Sequence, residues 1–184
     1  ARRGEAYAYR SALARIADRT ITLVAASKTF NVAGLFVGFA IIQNKEIREK
    51  FKAEMEKLTL HTNALGHIAS EVAFSGECDE WLDELLVYLT DNRDFVVDYV
   101  EKNLPGVRVS KPDATFLSWL DFSELVEQGK VTEPLQDFFI EKGKVAFNEG
   151  ASFGSGGEGF IRLNFGCPRE TLVDGLERIK KAIG

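Results

Sequence analysis

Two cysteines and two histidines are the only thiol and imidazole groups in 184 residues. Cys78 and Cys167 lie far apart and cannot make a disulfide framework. With His61 and His67 they form no CxxC or HxxxH spacing, so no metal site is expected. Positive charge is also short: 23 Lys and Arg against 28 Asp and Glu leave a net charge of −5, which speaks against nucleic acid or an acidic membrane as partner. No apolar run reaches the roughly 18 residues of a membrane span, and no signal peptide opens the sequence. There is no internal repeat and no low-complexity segment. The expectation is a cytoplasmic protein that binds neither membrane nor nucleic acid.

What is present suits a globular chain. The hydrophobic share is 45% and the charged share 28%. A chain of this length can bury roughly 70% of its unfolded surface. Ile21–Ala26 reads as a short buried strand and FVGFAIIQ (36–43) as a second. Asn44 suits the N-cap of a helix whose Ile47, Phe51, Met55 and Leu58 recur at helical spacing. Residues 62–75 read as another helix, with His67 a surface or packing residue. A long helix follows from about Asp79, apolar along Leu82, Leu85, Leu86, Leu89, Val96 and Val100, and stopped at Pro105-Gly106. Then the texture changes. VRVS, TFLSWLDF, KVAFN and GFIRLNF are short β-prone runs, with the helix EPLQDFFIEKG between the second and third. A last helix starts near Pro168 and turns Leu172, Leu176, Ile179 and Ile183 inward. Phe116, Trp119, Phe138 and Phe139 are expected in the core.

The fold class is therefore α/β: an α+β unit at the C-terminal end, preceded by what reads as the edge of a larger domain. Residues 1–45 are assigned to that edge and 46–184 to connecting helices and the small α+β domain. Two strands are too few for an independent sheet, which suggests a piece of something larger.

Two stretches carry chemistry. In AASKTFNVAGL (25–35) a lysine ends an apolar strand. Desolvating an ammonium is costly, so Lys28 is either a surface charge closing the sheet or a lysine with a reaction to perform. In NEGASFGSGGEGFIRLNFGCPR (148–169), strand alternation gives Ile161, Leu163 and Phe165 one face and Phe160, Arg162 and Asn164 the other. Arg162 then stands exposed beside the Asn164 amide. Arginine suits a carboxylate because its planar fork donates two parallel hydrogen bonds. The run GSGGEG lacks a GK[ST] ending and opens no helix, so it is not read as a phosphate loop.

Taken together, SKTFNVAGL, DATFLSWLDF and GFIRLNFGCPR resemble the C-terminal half of a fold-type I pyridoxal 5'-phosphate (PLP) enzyme. They are most similar to the cystathionine β-lyase-like (C–S lyase) branch of the class I/II aminotransferases, over roughly residues 9–184. The resemblance implies that Lys28 carries PLP as a Schiff base and, once displaced, removes the Cα proton of an amino-acid substrate. It implies that Ser27 helps hold the cofactor and that Arg162 grips the substrate carboxylate. It further implies a homodimer and β-elimination from a sulfur amino acid such as cystathionine or cysteine. Transamination by the same residues is the alternative, and a PLP-binding module without turnover is a third reading. Two positions depart from the broad family: Ala25 stands where many relatives have a phosphate-binding serine, and Phe36 where many have an arginine. An aspartate for the pyridine nitrogen is not found, since Asp18 lies too near the lysine strand. Little or no turnover is expected of these 184 residues alone.

Overall fold

The computed structural model describes residues 16–184, which divide into two compact units at Glu84/Leu85. Each unit has its own internal order.

In the first unit, β1 (Ile21–Val24) pairs antiparallel with β2 (Phe39–Ile42), Ile21 opposite Ile42 and Val24 opposite Phe39. Among the described residues these two strands form the whole sheet. The strand expected to be buried is largely exposed: Leu23 keeps 74% of its surface and Ile21 42%. The reason is architectural: cover reaches β2, where Ile42 is buried and Phe39 meets the Phe74 ring edge-on, whereas Ile21 and Leu23 of β1 stay open, as expected of a ribbon of two strands. Helix α1 (Lys45–Lys57) begins at Asn44, whose side-chain oxygen accepts from the N–H groups of Glu46 (2.9 Å) and Ile47 (3.2 Å). This cap satisfies two of the orphan donors at the helix start. The expected apolar stripe of α1 is only half-covered: Ile47 and Phe51 are half-buried, whereas Met55 and Leu58 are exposed. Helix α2 (Ala64–Ser75) is capped by Asn63 and ends at Gly76 in the left-handed region (φ 97°). His67 lies exposed on it, as a surface residue.

Helix α3 (Asp79–Asn103) carries the chain across the boundary. Of its expected apolar side, Val96 and Val100 are fully buried and Leu86 is exposed. The chain then turns at Gly106 (φ 86°) into the second unit's four-stranded antiparallel sheet. Its strands are β3 (Arg108–Val109), β4 (Leu117–Asp121), β5 (Asn148–Glu149) and β6 (Phe160–Asn164), in the spatial order β3-β4-β6-β5. KVAFN was expected as a strand, but only its last residue pairs, with Asn148 opposite Arg162. A short helix α4 (Ser123–Glu127), not foreseen from the sequence, follows β4. The expected helix at 133–143 is a single turn, α5 (Leu135–Phe138), running into a π-turn at Phe139–Gly143. Helix α6 (Arg169–Ile183) closes the unit, with Leu172, Leu176 and Ile179 buried.

One core joins these elements: Val96, Val100 and Leu104 from α3 and its end, Leu120 from β4 and Phe122 just after it, Ile161 and Leu163 from β6, and Leu176 and Ile179 from α6. Phe139 is fully buried among Phe122, Phe138 and Phe147, with ring centroids 5.0–5.8 Å away. A phenyl so enclosed contributes about 2–3 kcal/mol by burial alone. Phe139 thus meets the core expectation, and Phe116 and Phe138 pack against the core. Trp119 does not. Alternation along β4 buries Ser118 and Leu120 and sends Trp119 to the other face, opposite Arg162.

The end of β4 is held by charge. Asp121 accepts from the Ser123 N–H (2.9 Å) and pairs with Arg108 (2.7 Å). Burial would raise its pKa, but the Ser123 hydroxyl and N–H and the Arg108 guanidinium together hold it below the usual carboxylate range. A group whose folded pKa is depressed stabilises fully above its unfolded pKa of about 3.9 and loses that contribution as pH falls through the folded value. Asp121→Asn is therefore expected to cost about 1–2 kcal/mol at pH 7. Urea unfolding should show the difference shrinking below about pH 4.

Candidate functional site

Lys28 follows β1 in a tight, self-bonded loop. The Phe30 N–H donates to Ala26 O (3.0 Å) and the Val32 N–H to Ser27 O (3.1 Å). A 3-10 turn follows at Ala33–Leu35. Asn31 (φ 54°) and Phe36 (φ 50°) take left-handed backbone to complete the reversal. Ala26 is buried at the loop's root, Ser27 is half-buried and Lys28 is exposed. Phe30 stacks on Trp81, with centroids 6.1 Å apart. The far end is clamped to α2: Asn63 donates through Nδ2 to Leu35 O (2.5 Å) while its Oδ1 accepts from the Gly66 N–H (2.7 Å). One amide thus caps a helix and anchors the lysine loop. Phe36 keeps 89% of its surface exposed.

Arg162 sits at the centre of β6 in the second unit, with Trp119 opposite it on one side and Asn148 on the other. Its Nη2 donates to Asn148 Oδ1 (3.0 Å), and its Cζ lies 4.3 Å from the centroid of Phe153. Phe153 in turn meets Trp119 edge-on at 5.5 Å. The buried Nε–H has no partner. An unsatisfied N–H on a charged guanidinium carries an uncompensated desolvation cost. The arrangement is therefore suited to an acceptor arriving along that edge. The face alternation of β6 is as expected, with Ile161, Leu163 and Phe165 buried. The neighbouring amide is not: Asn164 uses its oxygen on the Gly166 N–H (2.8 Å), and Asn148 serves Arg162 instead. Asn148, Phe153 and Trp119 escaped the sequence reading, because only the pairing of β4, β5 and β6 brings them to one guanidinium.

The turn after β6 is fixed from α3. Asn92, fully buried, donates to Phe165 O and Cys167 O (both 3.0 Å) and accepts from Arg169 Nε (2.7 Å). Arg169 also lies over the Phe95 ring at 4.4 Å. A cavity of about 480 Å³ runs beside β6, lined by Asn148, Arg162, Asn164, Cys167 and Thr171 among others. Cys167 is a free thiol whose pKa burial pushes up, which suits packing rather than nucleophilic attack. Among the described residues no group of histidine, cysteine and carboxylate side chains could hold a metal ion, and no helix is long and apolar enough to cross a membrane.

Lys28 belongs to the first unit and Arg162 to the second, each set by its own unit's packing.

The sequence matches the aminotransferase class I and II family over residues 3–179. It is 44% identical over 168 residues to cystathionine beta-lyase PatB of Bacillus subtilis, covering 91% of this chain and 42% of that protein. The fold is similar to that of the PLP-bound C–S lyase from Staphylococcus hominis, with a TM-score of 0.80 and 33% identity over 90% of this chain and 42% of that one. It is likewise similar to cystalysin from Treponema denticola, whose structure contains pyridoxal 5'-phosphate, with a TM-score of 0.82 and 36% identity over 91% of this chain and 42% of that one. The chain spans about two fifths of the length of these relatives. The family match over residues 3–179 and the 44% identity make the conclusion direct: the chain belongs to the aminotransferase class I and II family.

Proposed function

We propose that this chain provides the lysine and the carboxylate-binding arginine of a PLP-dependent C–S lyase. The observation that carries the reading is Arg162, its Nε–H buried without a partner, in a chain whose fold is similar to that of a PLP-bound C–S lyase. Cystathionine beta-lyase as the name of a 44%-identical relative supports the lyase assignment.

The donor set fits the cofactor. A lysine that holds an aldehyde needs an amine free to react, and among the described residues no ion pair engages Lys28, which stands exposed at the end of its loop. Half-buried Ser27 and the loop N–H groups would face the phosphate, a thinner cup than one with serine at Ala25 and arginine at Phe36. When bound, PLP supplies a conjugated ring that accepts the electrons released at the amino acid's Cα. Lys28 is its attachment point, and Lys28 Nζ then takes the Cα proton. Arg162, whose Nη2 donates to Asn148, binds the α-carboxylate and so orients the bound amino acid. With sulfur bonded to Cβ, proton removal lets the C–S bond break with the sulfur taking the bonding pair and a proton as a thiol, and water hydrolyses the remaining three-carbon enamine to pyruvate and ammonia. Transamination by the same residues is the second reading, which the description of the family also covers.

In this reading residues 1–45 belong to the cofactor-binding domain and 46–184 to connecting helices and the small domain. The working form is a cytoplasmic homodimer. Supporting that, α2 exposes Leu65 (70%), Ile68 and Phe74, apolar surface that a second subunit would cover.

The test is labelling. The chain is mixed with PLP, reduced with borohydride, digested and mapped by mass spectrometry. Pyridoxyl label concentrated on Lys28, and lost in Lys28→Ala, is the expected result. Label spread evenly over the surface lysines would overturn the assignment.

A further inference from the structure

The glycine-rich run between β5 and β6 has no part in the function just described, yet it is built with care. A Cβ on Gly157 would stand 2.1 Å from Gly150 O, and one on Gly150 would stand 2.2 Å from Gly157 O. Two backbones approach this closely only where neither residue has a side chain. The base of the loop is tied further. Ser152 Oγ donates to Glu149 O (2.6 Å), Glu149 accepts from the Leu135 N–H (2.8 Å), and Glu133 accepts from the Gly159 N–H (2.9 Å). Beyond this pinch the 3-10 turn Gly150–Phe153 carries Phe153 outward.

Phe153 is 52% exposed, and its ring has a charged partner. Its partner is the guanidinium of Arg162, 4.3 Å from the ring centroid, and Trp119 braces it edge-on. A cation over an aromatic face is attracted by the ring quadrupole. With Cζ over the Phe153 ring and Nη2 on Asn148, the group is oriented, and its Nε–H is left without a partner. A carboxylate approaching in the guanidinium plane can accept from Nε and a neighbouring Nη together.

We infer that Phe153 is a positioning residue for carboxylate recognition by Arg162, and that the Gly150–Gly157 pinch is the arm that sets it in place. The inference rests on reading Arg162 as the carboxylate binder. It assigns the loop a role in orienting an arginine rather than in cradling phosphate.

The test uses the ¹⁵N-labelled 184-residue chain with L-alanine as probe, a carboxylate ligand with no leaving group. The Arg162 Nε–Hε resonance is assigned by its loss in Arg162→Lys and followed through the titration. The expected result is a saturable shift in the parent chain and three- to tenfold weaker binding in Phe153→Ala at unchanged melting temperature. Phe153→Tyr, which keeps the aromatic face, should restore affinity to within twofold. Gly157→Ala, which keeps the ring but forces the pinch apart, should weaken binding as Phe153→Ala does. A saturable shift of equal affinity in the parent and Phe153→Ala would overturn the inference and leave the carboxylate reading standing. No shift in the parent chain would overturn both.

Discussion

Asn92→Ala is expected to lower the stability of the second unit by about 3–5 kcal/mol, among the larger effects available to a single polar substitution. The side chain is fully buried and fully used: two N–H groups serve Phe165 O and Cys167 O, and its oxygen accepts from Arg169 Nε. Truncation leaves two carbonyls and one guanidinium N–H without partners in a place that water reaches poorly. Each such orphan costs about 1–3 kcal/mol, and the charged one lies at the upper end. In a chain of this size about 2–4 °C is lost per kcal/mol, so the melting temperature should fall by roughly 10 °C. Asn92→Asp should recover part of the loss, because its carboxylate still accepts from Arg169 but donates to neither carbonyl. A double-mutant cycle with Arg169→Ala should show coupling of about 1–2 kcal/mol, since the two side chains share one hydrogen bond. A fall under about 1 kcal/mol for Asn92→Ala would show that the turn after β6 is held by the core alone.

Alanine at Gly66 and alanine at Gly175 should move stability in opposite directions, although both glycines lie within helices. Relative to glycine, alanine favours a helix by about 1 kcal/mol through lower backbone entropy in the unfolded chain. At Gly175 in α6 an added Cβ meets nothing within 4 Å, so that gain should appear as about 0.5–1 kcal/mol of stabilisation. At Gly66 in α2 the same atom would lie 2.2 Å from Val37 Cγ2 and 2.9 Å from both Asn63 Nδ2 and Leu35 O. Valine is stiff at χ1 and the carbonyl is backbone, so neither can yield cheaply. Overpacking of this kind costs about 1–3 kcal/mol or more, which exceeds the helix gain. The clash also falls on the Asn63–Leu35 clamp, so Gly66→Ala should loosen the lysine loop. Faster amide exchange at residues 26–36 would register this, and pyridoxyl labelling of Lys28 should lose selectivity. If Gly66→Ala melted higher than the parent, the close approach of α2 to residues 35–37 would be wrong.

How far the sequence reached can be judged element by element. Helical periodicity and caps placed α1, α2, α3 and α6 within a few residues, because the apolar spacing is local and Asn44 and Pro168 act on the turn that each one starts. Alternation in GFIRLNF sorted Ile161, Leu163 and Phe165 from Phe160 and Arg162 for the same reason, since the two-residue period is a property of one strand. The lysine and arginine motifs were legible as a family resemblance, and the match over residues 3–179 agrees with it.

Burial was less legible. The strand at Ile21–Val24 is apolar enough for an interior, yet whether it is covered depends on which layers meet it. Trp119 was expected in the core on its residue type, whereas its place on the strand put it on the Arg162 face.

The sequence by itself determined where α1, α2, α3 and α6 begin, which β6 residues point inward, which family the chain belongs to, and that Lys28 and Arg162 merited a chemical reading. Those properties reside in neighbours a few positions apart, or in motifs that can be read directly. Only the tertiary structure decided that Asn148 rather than Asn164 holds Arg162, and that Phe153 covers its face. The same holds for Asn92, which bridges residues more than seventy positions away, and for Asn63, which ties α2 to the lysine loop. Each of these is a non-local pairing of polar or aromatic groups. Such contacts follow from strand order and helix packing, which no local periodicity encodes.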